Sequence, residues 1–340
     1  MMLDLLVYLP FLIIVVLANV AERHRLRPFR PADPGLQRTL DLVLRYLPAA
    51  QLALLNLALL AIAGLAALAG VAIQAAPEVT PPGGLQPNWL ALAAGVALTA
   101  LAAFAPLLPG LRRWLARWLP IDPDSVVHLT ALAFAIYQVG LSLAQMALIG
   151  DLENLTTTDL GLTVWSVLLS GLPLLLFALL GIGLWVRRDG RGVLERLGLQ
   201  RLTWRHLLLA AGAVVVLLAF DYAVTLFWQG VDPMGYDVLD RVTQNLFGGL
   251  ISVGGALVLG LSAGISEELL FRGAVQPRLG LVLTSVLFAV GHLQYSLSLA
   301  TLEILIIGLV LGLIRNRTST TVAILVHAGY NTLGVLLEML

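Results

Sequence analysis

Apolar runs long enough to cross a bilayer follow one another along almost the whole chain. About 20 predominantly apolar residues span the hydrocarbon core. By that measure spans fall near 3–20, 50–76, 89–108, 126–150, 163–186, 207–229, 246–271, 281–295, 297–314 and 319–338. The eighth and ninth are the least sharply divided, because 281–292 alone is short for a crossing. Composition points the same way: 59% of residues are hydrophobic and 12% are charged, against about 25% charged in soluble domains. The expected fold is an all-α, polytopic transmembrane helical bundle of about ten spans. Residues 3–20 have no basic stretch before them and no small-residue cleavage site after them. A retained first helix is therefore expected rather than a cleaved signal.

The charges sort by loop. Every one of the 20 basic residues is Arg. Residues 21–48 hold Arg23, Arg25, Arg27, Arg30, Arg38 and Arg45, while 109–125 and 187–206 are also Arg-rich. The intervening segments 77–88 and 151–162 hold none, and 230–245 holds only Arg241. Alternation of this kind places the basic loops in the cytoplasm, and Arg272, Arg278, Arg315 and Arg317 fall on the same side. A multi-pass protein of a prokaryotic plasma membrane is expected. There is no cysteine, which excludes disulfides, thiolate metal ligands and thiol nucleophiles. The stretch RRDGRGVLERLGLQRLTWRH reads as an amphipathic connector between five N-terminal and five C-terminal helices.

Three constellations within the spans could carry chemistry. The first is Glu267 and Glu268, followed by Arg272, at the end of an apolar run. A charge inside a spanning segment costs at least about 2.5–3.5 kcal/mol, so these groups need a reason to be there. Glu268 and Arg272 are four apart and share a helix face. Glu267 is about 140° away from Arg272 and stays available as a general base, a role suited to a carboxylate in an apolar setting. A charge cluster at the membrane interface is the competing reading. The second is His292, at the end of FAVGH and about 16 Å into its span at 1.5 Å per residue. The third is His327 with Asn331, four apart on the last span and about 12 Å deep. A lone intramembrane histidine is often an interhelical hydrogen-bonder. Three helices bringing ionisable groups to one depth favour a functional site.

EELLFR, FAVGH and HAGYN resemble, in order, the EExxxR, FxxxH and HxxxN motifs of the CPBP family, which comprises CAAX prenyl endopeptidases of type II and abortive-infection-like intramembrane proteases. The resemblance covers roughly residues 245–338. It divides the chain into an N-terminal helical part, 1–160, of unrecognised type and a protease-like core, 161–340. It implies an intramembrane endopeptidase opening to the cytoplasmic leaflet. Glu267 would activate water with His292, His327 and Asn331 would stabilise the oxyanion, and Glu268, Arg272 and Phe288 would support them. The substrate would be a peptide or protein, lipidated if the family name holds, met in the lipid bilayer; no nucleic acid is expected. No obligatory cofactor is expected either. Zinc held by Glu267, His292 and His327 stays open as a three-ligand set, although HExxH is absent.

Other features compete. Gly260 to Gly264 fits GxSxG around Ser262, yet a nucleophile elbow needs a strand-turn-helix, and small residues here suit helix packing. Asp221 reads as an interhelical hydrogen-bonder, and Glu303 could line the same cavity as His292. A non-catalytic transporter, immunity or scaffold protein, with these polar groups lining an ion path, is the alternative from a different class.

Overall fold

The computed structural model describes residues 2–76, 87–149, 154–157, 161–293 and 296–339; over these it contains helices, turns and loops but no strand. Among the described residues nine helical segments are long and apolar enough to cross a membrane. The chain is an integral, multi-pass membrane protein with an all-α bundle architecture. Helices are the natural outcome, because hydrocarbon offers no partner to a backbone N–H or C=O and a helix satisfies both within the segment. The chain divides into two compact units, one of residues 6–150 with 180–190, the other of residues 1–5, 151–179 and 191–340.

The first unit carries α1 (Met2–Leu26), α2 (Pro34–Ala75), α3 (Trp89–Ala102), the short α4 (Pro109–Leu115) and α5 (Val126–Ile149). Its core is formed by Ile14, Leu52, Ala63, Val96, Ala100, Ala133 and Tyr137. Small residues let α3 and α5 approach closely: a Cβ on Gly140 would collide with Thr99, and one on Gly95 with Ala144. The helix α2 corrects one expectation. Residues 34–48, with Arg38 and Arg45, form its first turns rather than a loop. Pro34 stands at the helix start with Asp33 as N-cap, its carboxylate accepting from Gly35 N at 2.8 Å, a combination that favours initiation. At 42 residues the helix is about 63 Å long, roughly twice the hydrocarbon thickness, so only part of it lies in lipid.

The second unit carries α6 (Asn154–Thr157), α7 (Val164–Gly181), α8 (Gly190–Leu197), α9 (Trp204–Val231), α10 (Pro233–Phe247) and α11 (Val253–Glu268). A π-helical segment, Leu269–Val275, follows. Then come α12 (Gln276–Val290), α13 (Leu299–Arg317) and α14 (Thr320–Leu337). Val214, Leu217, Ile307, Leu311, Val322 and Val326 pack α9, α13 and α14 together. The contact of α11 with α14 is tighter still. A Cβ on Gly260 would lie 2.6 Å from Ala328 O, and one on Gly264 2.8 Å from Ala328 N.

Two expected spans, 246–271 and 281–295, form one helical stretch of 38 residues, Val253–Val290. Laid straight it would reach about 57 Å. It does not run straight: Gly280 adopts φ 79°, ψ 173°, a conformation open to glycine. Glu267 and His292 are 25 positions apart, about 37 Å along a straight helix, yet their side chains come within 3.7 Å. The chain must therefore fold back between them. The division expected between the eighth and ninth spans, near 295–297, falls partly on residue 295, outside the described residues.

Candidate active site

Consecutive residues on a helix diverge by about 100°, so Glu267 and Glu268 cannot share a partner. Glu268 turns inward and is fully buried. Its Oε1 lies 2.9 Å from His327 Nδ1, and its Oε2 lies 3.3 Å from Arg272 Nε. Arg272 is fully buried as well. Its Nη2 donates to the Gly308 carbonyl at 3.1 Å, and its Cζ sits 4.4 Å from the Phe288 ring centroid. Opposite charge, a carbonyl dipole and an aromatic face together replace the water that this guanidinium has lost. The π-helical segment that carries Arg272 is the kind of local helix defect found often at functional sites.

Glu267 faces a different way. Its side chain is 17% exposed, as His292 is 25% exposed, and Glu267 Oε2 lies 3.7 Å from His292 Nε2. That is too long for a direct hydrogen bond and suits two groups that hold a water between them. The tautomer of His292 follows from its other nitrogen. Nδ1 lies 2.8 Å from the Phe288 carbonyl, which can only accept, so Nδ1 donates there, and in the neutral ring Nε2 presents a lone pair.

His292 also corrects an expectation. The apolar run puts it within the eighth span, but α12 ends at Val290 and His292 occupies the turn beyond it, its N–H donating to Ala289 O at 3.0 Å. Gly291, a poor helix former, is the residue at which the helix stops.

Phe288 is the hub of the cluster. It is 2% exposed, meets Phe271 edge-on with centroids 5.4 Å apart, and contacts the rings of His292 at 4.8 Å and His327 at 5.7 Å. One aromatic side chain thus sets the positions of both histidines and the guanidinium. Asn331 lies one turn beyond His327 on α14, partly exposed, and its amide makes no hydrogen bond among the described residues. Six of the seven candidate residues are therefore linked by contacts, with Asn331 beside them. The pairing of Glu268 with His327 was not foreseen. Its signal was present in two adjacent carboxylates and two intramembrane histidines, which divide one to one.

The residues weighed as competitors occupy other positions. Ser262 is inside α11 and donates to the Val167 carbonyl at 3.2 Å, so no nucleophile elbow forms around it. Asp221 accepts from the Tyr330 hydroxyl at 3.0 Å, and Glu303 faces Asp221. As for zinc, His327 turns Nδ1 to Glu268, and Nδ1 of His292 is held by a carbonyl. Among the described residues no group of three His, Asp or Glu side chains is arranged as a ligand set, so the residues as placed do not form the Glu267–His292–His327 zinc set left open by the sequence.

Residues 249–333 match the family described as type II CAAX prenyl endopeptidase, Rce1-like. The matched segment takes in α11, the π-helical segment, α12, α13 and most of α14, and with them every candidate residue. Searches of curated proteins and of solved structures found no match to the chain.

Proposed function

From helices α11 to α14 that carry the features of the Rce1-like type II CAAX prenyl endopeptidase family, we propose that this protein is an intramembrane endopeptidase using a water activated by glutamate and histidine. The supporting observation is the partly exposed Glu267–His292 pair at 3.7 Å, set beside a fully buried Glu268–Arg272–His327 cluster. A carboxylate oxygen and a lone-pair Nε2 are both acceptors, so one water can donate a hydrogen to each, and its oxygen lone pairs then face away from both, toward the substrate.

In the reaction the water oxygen bonds to the scissile carbonyl carbon while Glu267 takes its proton. The resulting oxyanion needs preorganised donors. Asn331 Nδ2 is one, and Nε2–H of His327 is the other when that ring is an imidazolium, with Glu268 at Nδ1 as its counter-charge. Collapse breaks the C–N bond, and the proton held by Glu267 passes to the departing amine. Arg272 and Phe288 hold Glu268 and the two rings in place. The N-terminal helices 1–160 stand outside this chemistry. The protease core is 161–340, and the arginine distribution directs the site to the cytoplasmic leaflet. The substrate is a peptide or protein whose cleavage site lies near a lipid modification that partitions into the bilayer.

The test uses the full-length protein in lipid nanodiscs. Its probe is a fluorogenic peptide ending in a prenylated Cys-aliphatic-aliphatic-X sequence, run beside the unprenylated peptide. Glu267→Gln should lower kcat by about 10²- to 10⁴-fold, the usual contribution of a general base. His327→Ala should lower it by about 10²- to 10³-fold, the value of an oxyanion donor. Cleavage by Glu267→Gln at the native rate would overturn the mechanism. No cleavage of any membrane peptide by the native chain, with proton-coupled flux lost in the same variants, would favour an ion path instead.

A further inference from the structure

The end of α8 and the connector that follows it lie outside residues 249–333, yet they touch the two helix ends on which the site is built. Helix α8 buries Val193 and Leu197 and brings Arg196 against the π-helical segment. Arg196 Nη1 donates to Gly273 O at 2.8 Å and Nη2 to Ala274 O at 3.3 Å. The sequence explains why a guanidinium is needed there. In a regular helix the Gly273 carbonyl would accept from the residue four positions on. That residue is Pro277, which has no N–H. A buried backbone carbonyl that has lost its α-helical donor is expensive, and Arg196 supplies a donor to it. The π-helical segment packs closely on α8 here: a Cβ on Gly273 would lie 2.8 Å from Leu197 Cδ2 and 3.2 Å from Leu197 O.

Just beyond α8 the same connector satisfies the start of α14. Thr320 N, one of the first-turn donors that a helix cannot satisfy itself, bonds the Gly198 carbonyl at 3.1 Å. Thr320 Oγ1 donates to Leu197 O at 2.6 Å, and Gln200 N donates to Thr321 Oγ1 at 2.9 Å. Gly198 has φ 72°, which lets the chain turn from one set of contacts to the other. Five residues, 196–200, therefore bind two elements at once. One carries Arg272, held against Glu268; the other carries His327 and Asn331. The Glu268–His327 bond of 2.9 Å closes the loop between them.

We infer that Arg196 is a positioning residue, and that segment 196–200 is a brace setting the register of the π-helical segment against α14. It acts through Glu268 and His327 and touches no substrate. Its effect on turnover rests on the peptidase reading; the brace itself does not.

The experiment therefore has two readouts on the full-length protein in nanodiscs, for native chain, Arg196→Ala, Arg196→Lys and Thr320→Val. The first is backbone hydrogen exchange followed by mass spectrometry. Arg196→Ala should speed exchange in peptides covering 269–279 and 320–327 while α2 and α5 exchange as in the native chain. Arg196→Lys, which can reach only one of the two carbonyls well, should fall between. The second is hydrolysis of the prenylated peptide, where Arg196→Ala should lower kcat by about 10- to 100-fold, the penalty of slightly misplaced groups, with KM little changed. Native-like exchange in 269–279 and 320–327 for Arg196→Ala overturns the brace. So does acceleration spread evenly over the whole chain, which would mark general destabilisation. If Arg196→Ala does not accumulate, Arg196→Lys and Thr320→Val are read on the same peptides, and native exchange in both overturns it. A native chain that cleaves nothing sinks the peptidase reading and leaves the exchange result standing.

Discussion

Arg272→Ala tests the buried cluster most directly, because the structure fixes what the substitution leaves behind. The guanidinium sits 3.3 Å from Glu268 Oε2, donates to Gly308 O at 3.1 Å and stacks on Phe288 at 4.4 Å. Its removal leaves a fully buried carboxylate whose remaining partner is His327 Nδ1. Breaking one side of a buried pair costs about 3–5 kcal/mol, about two to nearly four powers of ten in the folded-to-unfolded ratio. Removing both charges has the opposite sign of consequence. Glu268→Gln with Arg272→Met keeps the volume, buries no charge, and should be close to native in stability or up to about 1–4 kcal/mol better. Activity separates from stability in this pair. The double variant deprives His327 of its carboxylate, so its kcat should stay depressed by about 10²-fold although the fold is restored. Thermal unfolding in detergent, followed by tryptophan fluorescence, reads the first quantity and peptide hydrolysis the second. If Arg272→Ala melts with the native protein, or if the double variant is as unstable as the single one, the ion-pair account is wrong.

Three further outcomes follow from other parts of the structure. Gly264→Ala places a Cβ 2.8 Å from Ala328 N. The resulting separation of α11 from α14 should cost about 1–3 kcal/mol and stretch the Glu268–His327 bond, lowering Tm and kcat together; a native Tm would show that the seam can yield. Treatment with EDTA or phenanthroline should leave hydrolysis largely intact, whereas loss of activity restored by zinc would replace the metal-free mechanism. In the loop before α5, burial alone would push the Asp122 carboxyl up. The Asp124 N–H at 2.9 Å and the Arg25 guanidinium at 2.7 Å outweigh it and hold the group below the usual carboxylate range. A depressed carboxylate contributes stability above its unfolded-state value and loses it as pH falls through the folded one. Unfolding curves collected across acid pH should therefore fall more steeply for the native chain than for Asp122→Asn, and parallel curves would refute this.

Much of the architecture could be read from apolar run length, because lipid leaves the backbone few options. The reading failed where helices outgrow the membrane or bend. Residues 34–48 looked like a loop because they hold arginines, yet Asp33 and Pro34 start a helix there, and charge count says nothing about backbone conformation outside lipid. The fold-back between Glu267 and His292 hangs on Gly280, one of 32 glycines, and nothing in its neighbourhood sets it apart by type. The contact of Glu268 with Arg272 could be anticipated from i,i+4 spacing, because side-chain reach absorbs the local change to π-helix.

The Glu268–His327 contact could not be anticipated in the same way, since it depends on how closely α11 meets α14. That distance is set by what is missing at Gly260 and Gly264, namely any Cβ. Small residues are ordinary in spanning helices, so their presence in the sequence does not reveal which partner they admit. The same reasoning explains why the sequence shows residues 196–200 only as part of an amphipathic connector. Its hold on the site runs through backbone carbonyls of Gly273, Ala274, Leu197 and Gly198. The one residue that signals the need for it is Pro277, whose missing N–H leaves a carbonyl to be satisfied from elsewhere in the fold. A proline just past a charged intramembrane motif is thus a pointer to search the rest of the chain for an arginine that completes the site.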